Sequence, residues 1–176
     1  ATGMDALTHA VEAYIGQWGT DFTDRMALAA VGMIYQYLPL AFDDGRNLVA
    51  REMMALASTY AGLAFTRANV GNVHAIAHQL GGLYHTPHGL ANAIMLPPVL
   101  RFSAVAAQPR LAKLALRARV GAPGEPAEAL GVAHDGLVAG VQRLGPGDVD
   151  LQEVGAREQR LVAQAVHVFR PLIALE

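Results

Sequence analysis

Helical periodicity governs this chain from end to end. Apolar residues recur three and four apart, and the strict alternation of a half-buried strand is nearly absent. The spacing predicts a first helix over Met4 to Ile15, with Thr2 as its cap and Gly16 and Gly19 closing it. A second follows over Phe22 to Leu38, then a turn at Leu40 to Gly45, then a third helix over Leu48 to Arg67. Asn72 reads as the cap of a short helix over Val73 to Gly81. Pro87 suits the first position of the next, which reaches Pro97-Pro98 or passes them with a kink. Beyond Ser103 the pattern predicts helices over Arg110 to Val120, Ala127 to Leu144 and Gly155 to Phe169, with a Gly/Pro loop at Gly121 to Pro126. The expectation is one all-α domain over 1–176.

The chain has 176 residues, of which 53% are hydrophobic and 16% charged. So apolar a composition implies a large core, or apolar surface that another domain or subunit covers. The net charge is −2 with no basic run, so nucleic acid has no electrostatic footprint here. There are no cysteines, which excludes disulfides, thiolate metal sites and cysteine nucleophiles and fits a reducing cytoplasm. No uninterrupted apolar run is long enough to cross a bilayer, and no basic stretch leads into an apolar one as in a signal peptide. The chain opens at Ala1 and enters a helical pattern at once, so it reads as a fragment or a processed product.

Four of the seven histidines fall within Val73–Gly89: His74, His78, His85 and His88. His9 stands four residues after Asp5, so both side chains leave one face of the first helix, a turn apart. His74 and His78 repeat that spacing, and His88 opens a third helix. A set drawn from Asp5, His9, His74 and His88 mixes nitrogen and oxygen donors, which suits divalent iron or zinc better than magnesium or calcium. Each pair alone has a plainer reading. Asp5 can complete a capping box with Thr2, and His9 can be a core histidine bonded to a carbonyl. Together they weigh more, because several histidines on apolar helices would each need a polar partner.

The run Ala1-Thr2-Gly3-Met4-Asp5-Ala6-Leu7-Thr8-His9-Ala10-Val11-Glu12-Ala13-Tyr14 resembles the metal-binding helix of the iron-containing (group III) alcohol dehydrogenases. Gly71-Asn72-Val73-His74-Ala75-Ile76-Ala77-His78-Gln79-Leu80-Gly81-Gly82 resembles the second signature of that family, and Thr86-Pro87-His88-Gly89-Leu90-Ala91-Asn92-Ala93 continues it. The resemblance implies the helical C-terminal domain of the dehydroquinate synthase-like, iron-dependent alcohol dehydrogenase fold. It implies Asp5, His9, His74 and His88 as ligands of ferrous iron, with zinc able to substitute. It implies His78 as a catalytic residue beside the metal and Phe65 as an aromatic wall of the substrate pocket. It gives His85 no role, and His85 reads as exposed. Asn92 and Thr8 read as packing or capping residues.

The implied activity is NAD(P)-dependent alcohol dehydrogenation, the metal polarising an alcohol or aldehyde oxygen for hydride transfer. The implied partners are a small alcohol or aldehyde, an N-terminal cofactor domain and further copies of the chain in a homo-oligomer. No strand–glycine–helix unit for a dinucleotide occurs in this sequence, so the chain alone is expected to be inactive. The alternatives are a non-catalytic metal-binding helical fragment, or an oxidoreductase domain of the maleylacetate reductase or glycerol dehydrogenase type.

Overall fold

A computed structural model describes residues 1–119, and all regular structure among them is α-helical. The order is α1 (Thr2–Ile15), α2 (Asp21–Asp43), α3 (Leu48–Ala68), α4 (Asn72–Tyr84) and α5 (His88–Arg117). The helices expected over Ala127 to Leu144 and Gly155 to Phe169, and the loop at Gly121 to Pro126, lie outside the described residues.

α1 is the central element, packed against α2, α3 and α5, and α4 packs against α5. Its burial runs almost all the way round, from Met4 through Leu7 and Val11 to Tyr14, as befits a helix enclosed by others. α3 turns a row of alanines inward: Ala50, Ala57, Ala61, Ala64 and Ala68 are all buried. Their small side chains let its backbone lie close to α1 and α2. The largest core side chains include Leu7, Ile34, Met95, Leu96, Leu100, Leu111 and Leu114. Arg110 ties the far end of α5 to this core. It donates to the Tyr14 carbonyl, pairs with Asp24 at 2.6 Å, and its guanidinium lies 4.2 Å from the centre of the Tyr14 ring.

Several boundaries differ from the sequence expectations. Thr2 is the first residue of α1 and not its cap; Ala1 holds the cap position without a side-chain bond, so the capping box with Asp5 does not form. Leu40 to Asp43 are helical, because α2 continues through Pro39, and the turn shrinks to Asp44–Arg46. At the start of α2, Thr20 and Thr23 form a reciprocal capping box. Pro87 is the cap of α5 and not its first residue.

α5 runs unbroken through Pro97, Pro98 and Pro109, where the spacing left an end or a kink at Pro97-Pro98 and put a separate helix from Arg110. An interior proline costs about 3 kcal/mol. Here the surrounding helix is held by buried residues on both sides: Met95, Leu96, Val99 and Leu100 before, Leu111 and Leu114 after. These longer helices correct one further reading. By length and composition α2 and α5 are each apolar enough to cross a membrane, although both also bury side chains in the core, which makes this weak evidence.

Candidate metal centre

Asp5 lies in the first turn of α1, His74 is the third residue of α4, and His88 is the first residue of α5. Three helix beginnings therefore meet at one point. Gly89 permits the meeting of α1 with α5. A Cβ there would lie 2.6 Å from the Ala1 carbonyl oxygen, so any larger residue would push the start of α1 away.

Asp5 Oδ1 is 3.3 Å from His88 Nε2 and 3.7 Å from His74 Nε2. The ligand atoms of Asp5, His74 and His88 all lie within 4.8 Å of one another. His9 flanks this trio. Its Nδ1 is 4.0 Å from Asp5 Oδ1, and its ring is stacked between Phe65, 4.2 Å away, and His74, 4.3 Å away. His78 lies on the exposed side of α4, with its ring stacked 5.2 Å from that of His88. His85 is exposed, as expected, and ends α4 in a left-handed conformation at φ 57°. The structure thus gathers Asp5, His74 and His88 most tightly, with His9, His78 and Phe65 against them.

Two residues with closer bonds to this group carried no site role in the sequence reading. The Asn92 amide nitrogen donates to Asp5 Oδ1 at 2.6 Å and lies 3.1 Å from both His74 Nε2 and His88 Nε2. Asn92 stands four residues after His88, the same spacing that drew attention to Asp5 and His9. Glu12 is 97% buried, and its carboxylate meets His74 Nδ1 at 2.6 Å. The same carboxylate accepts from the backbone N–H of Val73 at 2.6 Å and of His74 at 3.3 Å. It therefore supplies the cap that the sequence assigned to Asn72, which is instead the first residue of α4. The signal for Glu12 was its place among Ala10, Val11, Ala13 and Tyr14, since a carboxylate inside an apolar run must find a partner.

Charge within the cluster is strongly coupled. Burial opposes the charge on His74, but hydrogen bonds and attraction from Asp5 and Glu12 prevail and raise its pKa to about 9. Burial likewise pushes the Asp5 carboxyl up, and His74, His9, Asn92 and His88 together outweigh it, leaving Asp5 below its ordinary value. His9 is pushed down, first by burial and then by the neighbouring His74.

The donor set suits a divalent cation of the iron or zinc kind: carboxylate oxygen and imidazole nitrogens, no thiolate. A second observation agrees. Asn92 Oδ1 is buried without a hydrogen-bond partner among the described residues, while its amide nitrogen is the donor among three ligand atoms. An orphaned acceptor beside a close-set group of ligand atoms marks a site whose polar balance is completed by something further. A cavity of about 380 Å³ near the starts of α1 and α3, lined by Ala6, Leu38, Phe42, Arg51 and Met54 among others, contains none of these histidines.

Fold and site together define a helical domain built around a carboxylate–histidine cluster able to hold a metal ion. The chain belongs to the iron-containing alcohol dehydrogenase family: residues 1–173 match its C-terminal domain. It is 55% identical over 115 residues to a 1,3-propanediol dehydrogenase of Citrobacter freundii, a match covering 65% of this chain and 30% of that protein. Among solved structures it is similar to an alcohol dehydrogenase from Oenococcus oeni. That match has a TM-score of 0.82 and 35% identity, covering 94% of this chain and 44% of that one. A 1,3-propanediol oxidoreductase gives a TM-score of 0.77 and 48% identity, covering 81% of this chain and 37% of that one. The chain thus spans about a third of the length of the curated relative it matches. The fold is the helical C-terminal domain of this family.

Proposed function

We propose that this chain is the metal-holding catalytic domain of an NAD(P)-dependent alcohol dehydrogenase, with Asp5, His9, His74 and His88 as ligands of ferrous iron or, in its place, zinc. The observation that carries the reading is the convergence of Asp5, His74 and His88 from three helix starts within 4.8 Å. The names of its relatives, propanediol and alcohol dehydrogenases, support the reaction class. When bound, the cation supplies Lewis acidity toward an alcohol or carbonyl oxygen.

The chain's own residues divide the remaining work. Asp5 would offset the charge of the cation, and the histidines would hold it through imidazole nitrogens on rings fixed by their packing. Phe65, stacked on His9, holds that ring and forms the apolar wall of the substrate pocket. His78 is exposed and adjacent to His88, where it can exchange a proton between the site and water. The nicotinamide cofactor belongs to an N-terminal domain outside this chain. A small alcohol or aldehyde substrate, a cytoplasmic setting and a homo-oligomeric assembly complete the proposal.

Metal content of the purified chain, loaded anaerobically with ferrous iron and separately with zinc, tests the site. About one ion per chain is expected, with loss of binding in His74→Ala. The activity is tested on the chain joined to its cofactor domain. If that two-domain protein holds its metal but shows no alcohol- and cofactor-dependent turnover, the enzyme reading is wrong.

A further inference from the structure

We infer that Glu12 is the positioning residue of this centre: it sets which nitrogen of His74 faces the metal and anchors the helix that carries it. The inference rests on the reading of His74 as a ligand. A neutral imidazole carries one proton, and only the other nitrogen offers a lone pair. His74 Nδ1 lies 2.6 Å from Glu12 Oε2. A carboxylate has lone pairs and no hydrogen to give, so Nδ1 must donate. In the neutral ring that a metal ligand requires, Nε2 is then the nitrogen with the lone pair, and it is the atom that faces Asp5 Oδ1 at 3.7 Å.

The backbone reinforces the ring. Glu12 Oε1 takes the Val73 N–H at 2.6 Å and Oε2 takes the His74 N–H at 3.3 Å. Side chain and main chain of His74 are therefore held by one carboxylate, itself only 3% exposed. Gly71 makes room for it, since a Cβ there would lie 2.9 Å from Glu12 Oε1. A carboxylate in this relation also increases the basicity of the histidine as a ligand. Glu12 does all this from α1, the helix that also carries Asp5 and His9, so the ligands of α1 and α4 are set relative to one another by one hydrogen-bonded group.

The test is zinc affinity of the full chain, measured by competition with a chromophoric chelator, for the parent, Glu12→Gln and His74→Ala. Glutamine keeps the shape and leaves one oxygen for the Val73 N–H. Its NH2 would instead donate to Nδ1, which moves the imidazole proton to Nε2 and blocks the ligating atom. Glu12→Gln should therefore lose about 10- to 100-fold in affinity while the circular dichroism of the metal-free chain stays that of the parent. A folded Glu12→Gln chain that binds zinc within about threefold of the parent, when His74→Ala has lost it, overturns the positioning role and leaves the metal site standing. A His74→Ala chain that binds zinc like the parent overturns the metal-site reading and the inference with it. Should Glu12→Gln fail to fold, histidine ¹⁵N spectra of the zinc-loaded parent decide. The His74 proton on Nδ1 upholds the inference, and a proton on Nε2 overturns it.

Discussion

Glu12 and His74 stand 62 residues apart in sequence, and a 2.6 Å hydrogen bond joins the carboxylate of one to the imidazole Nδ1 of the other, both side chains buried. The pair links the central helix to the beginning of α4, and the pair's chemistry governs how the domain responds to substitution.

Breaking this pair from one side should be costly. Glu12→Leu removes the carboxylate 2.6 Å from the buried His74 imidazolium and the cap of α4. The expected loss is about 3–5 kcal/mol, read by urea denaturation of the metal-free chain at neutral pH. Glu12→Leu combined with His74→Leu should cost clearly less than the sum of the two single changes. Additive losses would show that the two groups are not coupled.

The metal-free chain should have a stability optimum set by His74 and Asp5. The pKa of His74 is raised from 6.5 to about 9 by Asp5 and Glu12 acting against burial. Its contribution is full below the unfolded value and is lost as pH rises through about 9, on the order of 3 kcal/mol at about 1.4 kcal/mol per unit. Asp5 is lowered from 3.8, so its contribution is present above that value and lost as pH falls below it. Thermal melts across pH should decline on both sides, and His74→Ala should flatten the alkaline decline.

Gly89→Ala places a methyl against the Ala1 carbonyl, whose oxygen would be 2.6 Å away. Alanine favours a helix interior by up to about 1 kcal/mol over glycine, so local propensity alone predicts a more stable α5. The tertiary contact predicts the reverse for the site, with the start of α1 displaced from His88. Zinc affinity should fall on the order of tenfold, the equivalent of about 1.4 kcal/mol. An unchanged affinity would show that Asp5 reaches His88 without this close approach.

Asn92→Leu removes the amide that donates to Asp5 Oδ1 at 2.6 Å. This bond is one of the contributions that hold the Asp5 carboxyl low. Its pKa, followed by carboxyl ¹³C shifts in the metal-free chain, should rise, with a stability loss of about 1–3 kcal/mol for the stranded acceptor. A fixed Asp5 titration would exclude Asn92 from the electrostatics of the centre.

The helices were legible because their apolar spacing is dense, and the first and third are found within a few residues of where that spacing puts them. The ends were less so. Local signals suggested that Thr2 and Asn72 cap their helices, yet backbone entry at Ala1 and the distant Glu12 decide those positions. The spacing suggested that α2 stops near Leu38, that the next long helix ends at Pro97-Pro98 or kinks there, and that a separate helix starts at Arg110. α5 continues because the turns on both sides of its prolines bury side chains in the core, which outweighs an interior proline, and α2 continues one turn past Pro39 with that turn largely exposed.

The site divides in the same way. Spacing alone placed Asp5 with His9 and His74 with His78, because residues four apart on a helix share a face whatever the tertiary structure does. The family of the fold was implied by the resemblance of the motif runs at Ala1 to Tyr14 and Gly71 to Ala93. Only the packing of three helix starts decided that Asp5, His74 and His88 form the tightest group, with His9 stacked beside it and His78 toward water. Asn92 shares a helix face with His88 by spacing, but only packing set it against Asp5 and His74 and brought Glu12 to His74. A hydrogen bond across 62 residues leaves no periodic trace in the sequence, since it depends on how separate helices approach one another and not on the spacing within any one of them.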